Sequence, residues 1–80
     1  MSTSVVKSVT ALAKRVWFDE TKMFVQLTDG REIAVPLEWF PGLRGASKKQ
    51  KNNWRLIGGG VGIHWKDIDE DISIEGLLKQ

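Results

Sequence analysis

The chain contains no cysteine. It therefore has no disulfide and no thiolate metal site, which suits a reducing compartment. Long apolar runs are also missing. Residues 1–16 mix Lys7, Lys14 and Arg15 with Val5, Val6, Val9, Leu12 and Ala13. A signal peptide needs a continuous apolar stretch, and a membrane span needs a longer one still. These absences predict a soluble, cytoplasmic protein with no membrane partner. Net charge is scarce too: a formal +2 is too small to argue for nucleic acid by itself. Histidine occurs once, at His64. Eighty residues make a single domain, 1–80, with residues 1–4 expected to fray and a core of modest size.

Four tryptophans and three phenylalanines supply much of the area such a core must bury. The clearest local signal is Asp29-Gly30. Both residues tolerate positive φ, which favours a tight turn between antiparallel strands. Met23, Val25 and Leu27 alternate with Phe24, Gln26 and Thr28 before it, and Ile33, Val35 and Leu37 alternate with Glu32, Ala34 and Pro36 after it. A period of two belongs to half-buried strands. Pro36 lacks a backbone donor and ends the pairing. Trp39, Phe40 and Pro41 then form a bulky apolar corner.

Upstream, Val5 to Phe18 reads as a strand, with Asp19-Glu20-Thr21-Lys22 turning into the next, so that three strands form a meander. Downstream, Leu43 to Gly45 reads as a loop. Ser47 and Gln50 have the spacing of a capping box, which predicts a short helix from about Lys48 to Asn53. Its lysines oppose the dipole at its start, so packing must hold it, through Trp54. Trp54–Ile57 is a predicted strand, Gly58-Gly59-Gly60 a flexible break, and Val61, Ile63 and Trp65 alternate as another strand. Ile68 and Ile72 anchor an acidic segment. Ser73 caps a last short helix carrying Ile74, Leu77 and Leu78 inward. The expected fold is α+β: a small antiparallel sheet, with an N-terminal meander and the Asp29-Gly30 hairpin, packed with two or three short helices.

The charges are segregated. Every charged residue from Arg44 to Lys66 is basic, and every one from Asp67 to Glu75 is acidic. Such blocks can orient a partner. Arg44, Lys48, Lys49, Lys51 and Arg55, with Trp39 and Trp54 nearby, could contact phosphates and stack on bases. Asp67, Asp69, Glu70 and Asp71 resemble the alternate acids of a calcium loop. An EF-hand would need glycine and glutamate where Ile72 and Leu78 stand, so the match fails. Gly58-Gly59-Gly60-Val61-Gly62 lacks the Lys-Ser/Thr ending of a phosphate loop. His64 has no nucleophile of catalytic context beside it. No metal, cofactor or catalytic set emerges.

Asp29-Gly30-Arg31, the run Pro36 to Pro41, Asn53-Trp54, Gly62-Ile63-His64-Trp65 and the run Asp69 to Leu78 together resemble the small bacterial family called domain of unknown function 2442. The resemblance covers about Val16 to Leu78. It implies a small domain of strands with short helices and no catalytic residues. Members are similar to antitoxins encoded beside a small toxin, often of domain-of-unknown-function family 4160. The resemblance thus implies a non-enzymatic module that binds and neutralises a small protein partner. Its expected contacts are the acidic edge with His64, Trp65, Asp67, Asp69, Glu70 and Asp71, or the corner at Trp39 and Phe40. The alternative is a nucleic-acid accessory using residues 44–55. An exposed edge strand in so small a sheet would also allow a homodimer.

Overall fold

A computed structural model describes residues 11–79. The expected fraying of residues 1–4 and the part of the first strand before Ala11 lie outside them. The described chain is a small α+β fold whose six strands divide into two antiparallel sheets rather than one. The first sheet is the predicted meander: β1 (Ala13–Phe18), β2 (Lys22–Leu27) and β3 (Glu32–Pro36), in that order. The second is another meander: β4 (Trp54–Ile57), β5 (Gly62–Trp65) and β6 (Glu70–Ser73). Between them lie a 3-10 turn (Leu37–Trp39) and two short helices, α1 (Pro41–Arg44) and α2 (Lys48–Asn52). A last helix, α3 (Ile74–Leu78), follows β6 directly.

One apolar cluster joins the layers. Val16, Met23, Val25, Leu27 and Val35 from the first sheet share it with Ile63, Trp65 and Ile72 from the second. Leu43, Ile74 and Leu77 enter it from the helices. Across the layers the Phe18 ring meets Trp65 edge-on, with centroids 6.4 Å apart. The two sheets also touch through backbone: the Ala13 N–H donates to the Gly60 carbonyl at 2.8 Å.

Three local readings need correction. The Asp29-Gly30 hairpin forms, with Met23 opposite Val35 and Val25 opposite Ile33. Its turn is wider than a two-residue one. The Gly30 N–H donates to the Leu27 carbonyl, and only Gly30 of the pair has positive φ, at 97°. This is the three-residue loop that ends in a left-handed glycine. Asp29 is instead held by its own carboxylate, which accepts the Arg31 backbone N–H and side-chain Nε–H. Leu43 is not in a loop but in α1, which Pro41 opens at a position where its fixed φ fits and its missing donor costs nothing. The acidic segment is more than an anchored edge, because Glu70 to Ser73 form a strand against β5.

The capping box is present as predicted: Ser47 Oγ accepts the Gln50 N–H, and Gln50 Oε1 accepts the Ser47 N–H. Ser73 Oγ caps α3 by accepting the Gly76 N–H. α2 buries none of its own residues, and where packing through Trp54 was expected to hold it, it is tied to the fold through Lys51. Its carbonyl accepts the Trp65 Nε1–H at 2.9 Å, and its ammonium lies over the Phe18 ring.

Two turns carry a pH dependence. Asp19 Oδ1 accepts the backbone N–H groups of Thr21 and Lys22, which hold its pKa below the ordinary 3.8. The Arg31 side chain, then its backbone N–H, lowers that of Asp29. A carboxylate whose pKa is depressed by folding adds stability above its unfolded value, and loses it as pH falls through the folded value. Asp19→Ala and Asp29→Ala are therefore expected to be less stable than the parent at neutral pH. The difference should be largest above about 4 and shrink as pH falls and the folded-state carboxylates become protonated. Urea midpoints measured across that range check this; a difference that does not change with pH would refute it.

Candidate partner-binding site

β6 closes one edge of the second sheet, and its acids arise from its turn and its pleat. The Lys66–Asp69 turn brings Glu70 back opposite Trp65. Asp69 sits in it at positive φ, 53°, a conformation that aspartate tolerates better than most residues. Asp67 Oδ2 accepts the Asn53 side-chain N–H. Within β6, Ile72 points into the core while Asp71 and Ser73 are exposed. Glu70 is half-buried, with its carboxylate close above Gly42 of α1.

His64 faces Asp71 across the strands, and Nδ1 and Oδ1 lie 2.5 Å apart. Arg55 stands opposite His64 on the other side. The row Arg55–His64–Asp71 thus crosses the outer face of the sheet. His64 is partly covered, whereas Asp71 is open to solvent.

The two surfaces expected from sequence meet at Asp71, while His64, Asp67, Asp69 and Glu70 lie outside the groove they share. Trp39 and Phe40 line a groove together with Asp71, Ile72, Ser73, Gly76 and Leu77. Residues far apart in the chain meet because the 3-10 turn carries the aromatic corner off the end of β3 to the flank of β6. Trp39 is 48% exposed, unusual for so large a ring. On the outer face beside it, Ile57, Val61 and Leu78 line a second groove that shares Asp71, Ile72 and Ser73. The exposure of Ile57, Val61 and Leu78 was not foreseen. Leu78 lies on the outward side of a helix expected to bury it, and Val61 falls in the turn before β5.

Trp65 must be taken off the surface. It is wholly buried, bonded to Lys51 and packed on Phe18. The signal was present in its phase with Ile63, since residues two apart in a strand share a face.

The basic residues do not converge in the same way. Lys48 and Lys51 border a hollow that also holds Asp19 and Glu20. Arg44 borders another with Glu20 and Glu38. Lys49 is exposed on α2, and Arg55 belongs to the His64 row. Acids therefore interleave with this block. Gly60 lies against the Ala13 backbone and the Leu12 Cβ, so this glycine of the loop serves packing. Among the described residues no three His, Asp or Glu side chains gather as a metal set, and no helix is long and apolar enough to cross a membrane.

The fold and site define a small two-sheet α+β domain with an apolar groove along an acidic edge strand. The chain belongs to the family described as protein of unknown function (DUF2442), whose profile matches residues 13–80. It is similar to a protein of unknown function from Rhodospirillum rubrum, known from a crystal structure, at 32% sequence identity and a TM-score of 0.76. The match covers 89% of this chain and 88% of that one. No curated protein matches.

Proposed function

We propose that this is a non-enzymatic, cytoplasmic protein-interaction module of antitoxin-like type, which binds and neutralises a small protein encoded nearby. The supporting observation is the shared groove: Trp39 and Phe40 meet Asp71 beside an exposed edge. A half-exposed tryptophan is the kind of aromatic that interface centres are enriched in, and charge belongs to their rim. The family resemblance supports a toxin of domain-of-unknown-function family 4160 as the partner class. The nucleic-acid alternative draws less support, because Arg44, Lys48 and Lys51 share their hollows with Asp19, Glu20 and Glu38.

Co-expression of the tagged protein with its neighbouring gene product tests the reading. A stoichiometric complex that relieves the neighbour's toxicity is the expected result. Trp39→Ala and Asp71→Lys, both at exposed sites, should each weaken capture by at least about tenfold, the scale of an interface hot spot. Recovery of the tagged protein alone, with no relief of growth, would remove the reading.

A further inference from the structure

β6 carries more than side chains to its edge. Facing residues of an antiparallel ladder alternate between pairs that exchange backbone hydrogen bonds and pairs that do not. The Ile74 N–H donates to the Val61 carbonyl, which sets the phase of the β5–β6 ladder. Counting along the register, Ile63–Ile72 and Trp65–Glu70 exchange bonds, whereas Gly62–Ser73 and His64–Asp71 do not. The N–H and C=O of Asp71 and the N–H of Ser73 therefore point away from β5. Among the described residues no strand pairs with β6 on that side. Asp71 and Ser73 line a groove together with Trp39 and Phe40 and with Gly76 and Leu77 of α3.

We propose that this edge takes an extended, basic segment of a partner protein as an added strand. The proposal rests on the interaction reading above and specifies how the partner is held. Backbone bonds to Asp71 and Ser73 fix the segment, and Trp39 and Phe40 receive its apolar side chains, alternating as a strand requires. The charges choose the occupant. Asp69, Asp71 and Glu75 lie exposed on or beside this strand, so lysine or arginine on the incoming segment meets opposite charge. A second copy of β6 would bring two such acidic segments edge to edge. Like charges facing each other across strands are destabilising, so the acids guard the edge against self-pairing while admitting a basic strand.

The test is titration of the isotope-labelled full chain with a short peptide of alternating lysine and valine. Two controls are an alternating glutamate–valine peptide and the lysine–valine peptide methylated on its backbone nitrogens. The lysine–valine peptide should shift the Trp39 indole signal and slow hydrogen exchange at the Asp71 and Ser73 amides by about tenfold or more. Backbone methylation should abolish this, and Asp71→Lys should reverse the preference toward the acidic peptide. Binding that moves Trp39 but leaves the Asp71 amide unprotected, or that survives methylation, overturns strand addition and leaves the interaction reading intact. The same holds if neither peptide binds while the neighbouring gene product is still captured. A dimer of the free protein with its Asp71 amide already protected would also overturn it, because the edge would then belong to a second copy. Failure of capture, by contrast, removes the reading beneath it.

Discussion

Gly60→Ala is expected to cost about 3–5 kcal/mol, from positive-φ strain together with a backbone clash. Gly60 has φ 120°, a region open to glycine and strained for any residue with a Cβ. A Cβ there would lie 2.6 Å from the Ala13 carbonyl oxygen and 3.0 Å from its nitrogen. Neither atom can swing aside as a side chain would, so β1 must move. Moving it breaks the Ala13-to-Gly60 hydrogen bond, one of the ties between the sheets. The loss is a large part of the roughly 4–12 kcal/mol that holds a domain of this size. Gly59 is the control. It lies in the same turn at φ 73°, with nothing within 4 Å of a built Cβ. Gly59→Ala should cost only the conformational part, about 1 kcal/mol. Urea unfolding followed by circular dichroism compares the two; equal losses would show that the contact with Ala13 is not what matters.

Trp65→Ala should be at least as damaging, at about 3–5 kcal/mol for truncating a fully buried aromatic. The indole is wholly enclosed, meets Phe18 edge-on, and donates Nε1–H to the Lys51 carbonyl. It therefore ties β5 to β1 and holds the end of α2. Trp65→Phe separates these roles. It keeps most of the apolar volume and leaves the Lys51 carbonyl without its donor, for about 1–2 kcal/mol. Chemical denaturation of both variants decides the matter. A loss for Trp65→Ala below that of Trp65→Phe would contradict the core assignment.

Trp65 also shows how far the residues could be read in advance. Its spacing from Ile63 placed it on a buried face, yet its neighbour His64 suggested a surface cluster. Phase was the better guide, because a strand gives each residue one side. The capping box at Ser47 and Gln50, the cap at Ser73 and the hairpin at Asp29-Gly30 were legible because each depends on neighbours in the chain. β6 was not. Glu70-Asp71-Ile72-Ser73 has little strand propensity, and pairing with β5 makes it a strand. Nor was the irregularity in β1, where Lys14 and Arg15 together oppose Gln26, so that Ala13 and Val16 both point inward although three residues apart. The groove shared by Trp39 and Asp71 depends on how two meanders stack, which no local pattern encodes.

The Ala13–Gly60 bond also bears on the order of assembly. Each meander closes through short hairpins, whose strands find each other within microseconds. The seam between them joins residues far apart in the chain, and bringing those together costs loop-closure entropy. A transition state built on the first meander would lack this seam and the β4–β5 turn that carries Gly60. Substitutions at Gly60 would then leave the folding rate nearly unchanged and speed unfolding, giving a φ-value near zero, whereas Val25 and Ile33 within the β2–β3 hairpin would give higher ones. On this account the seam governs how long the native state lasts, more than how fast it forms.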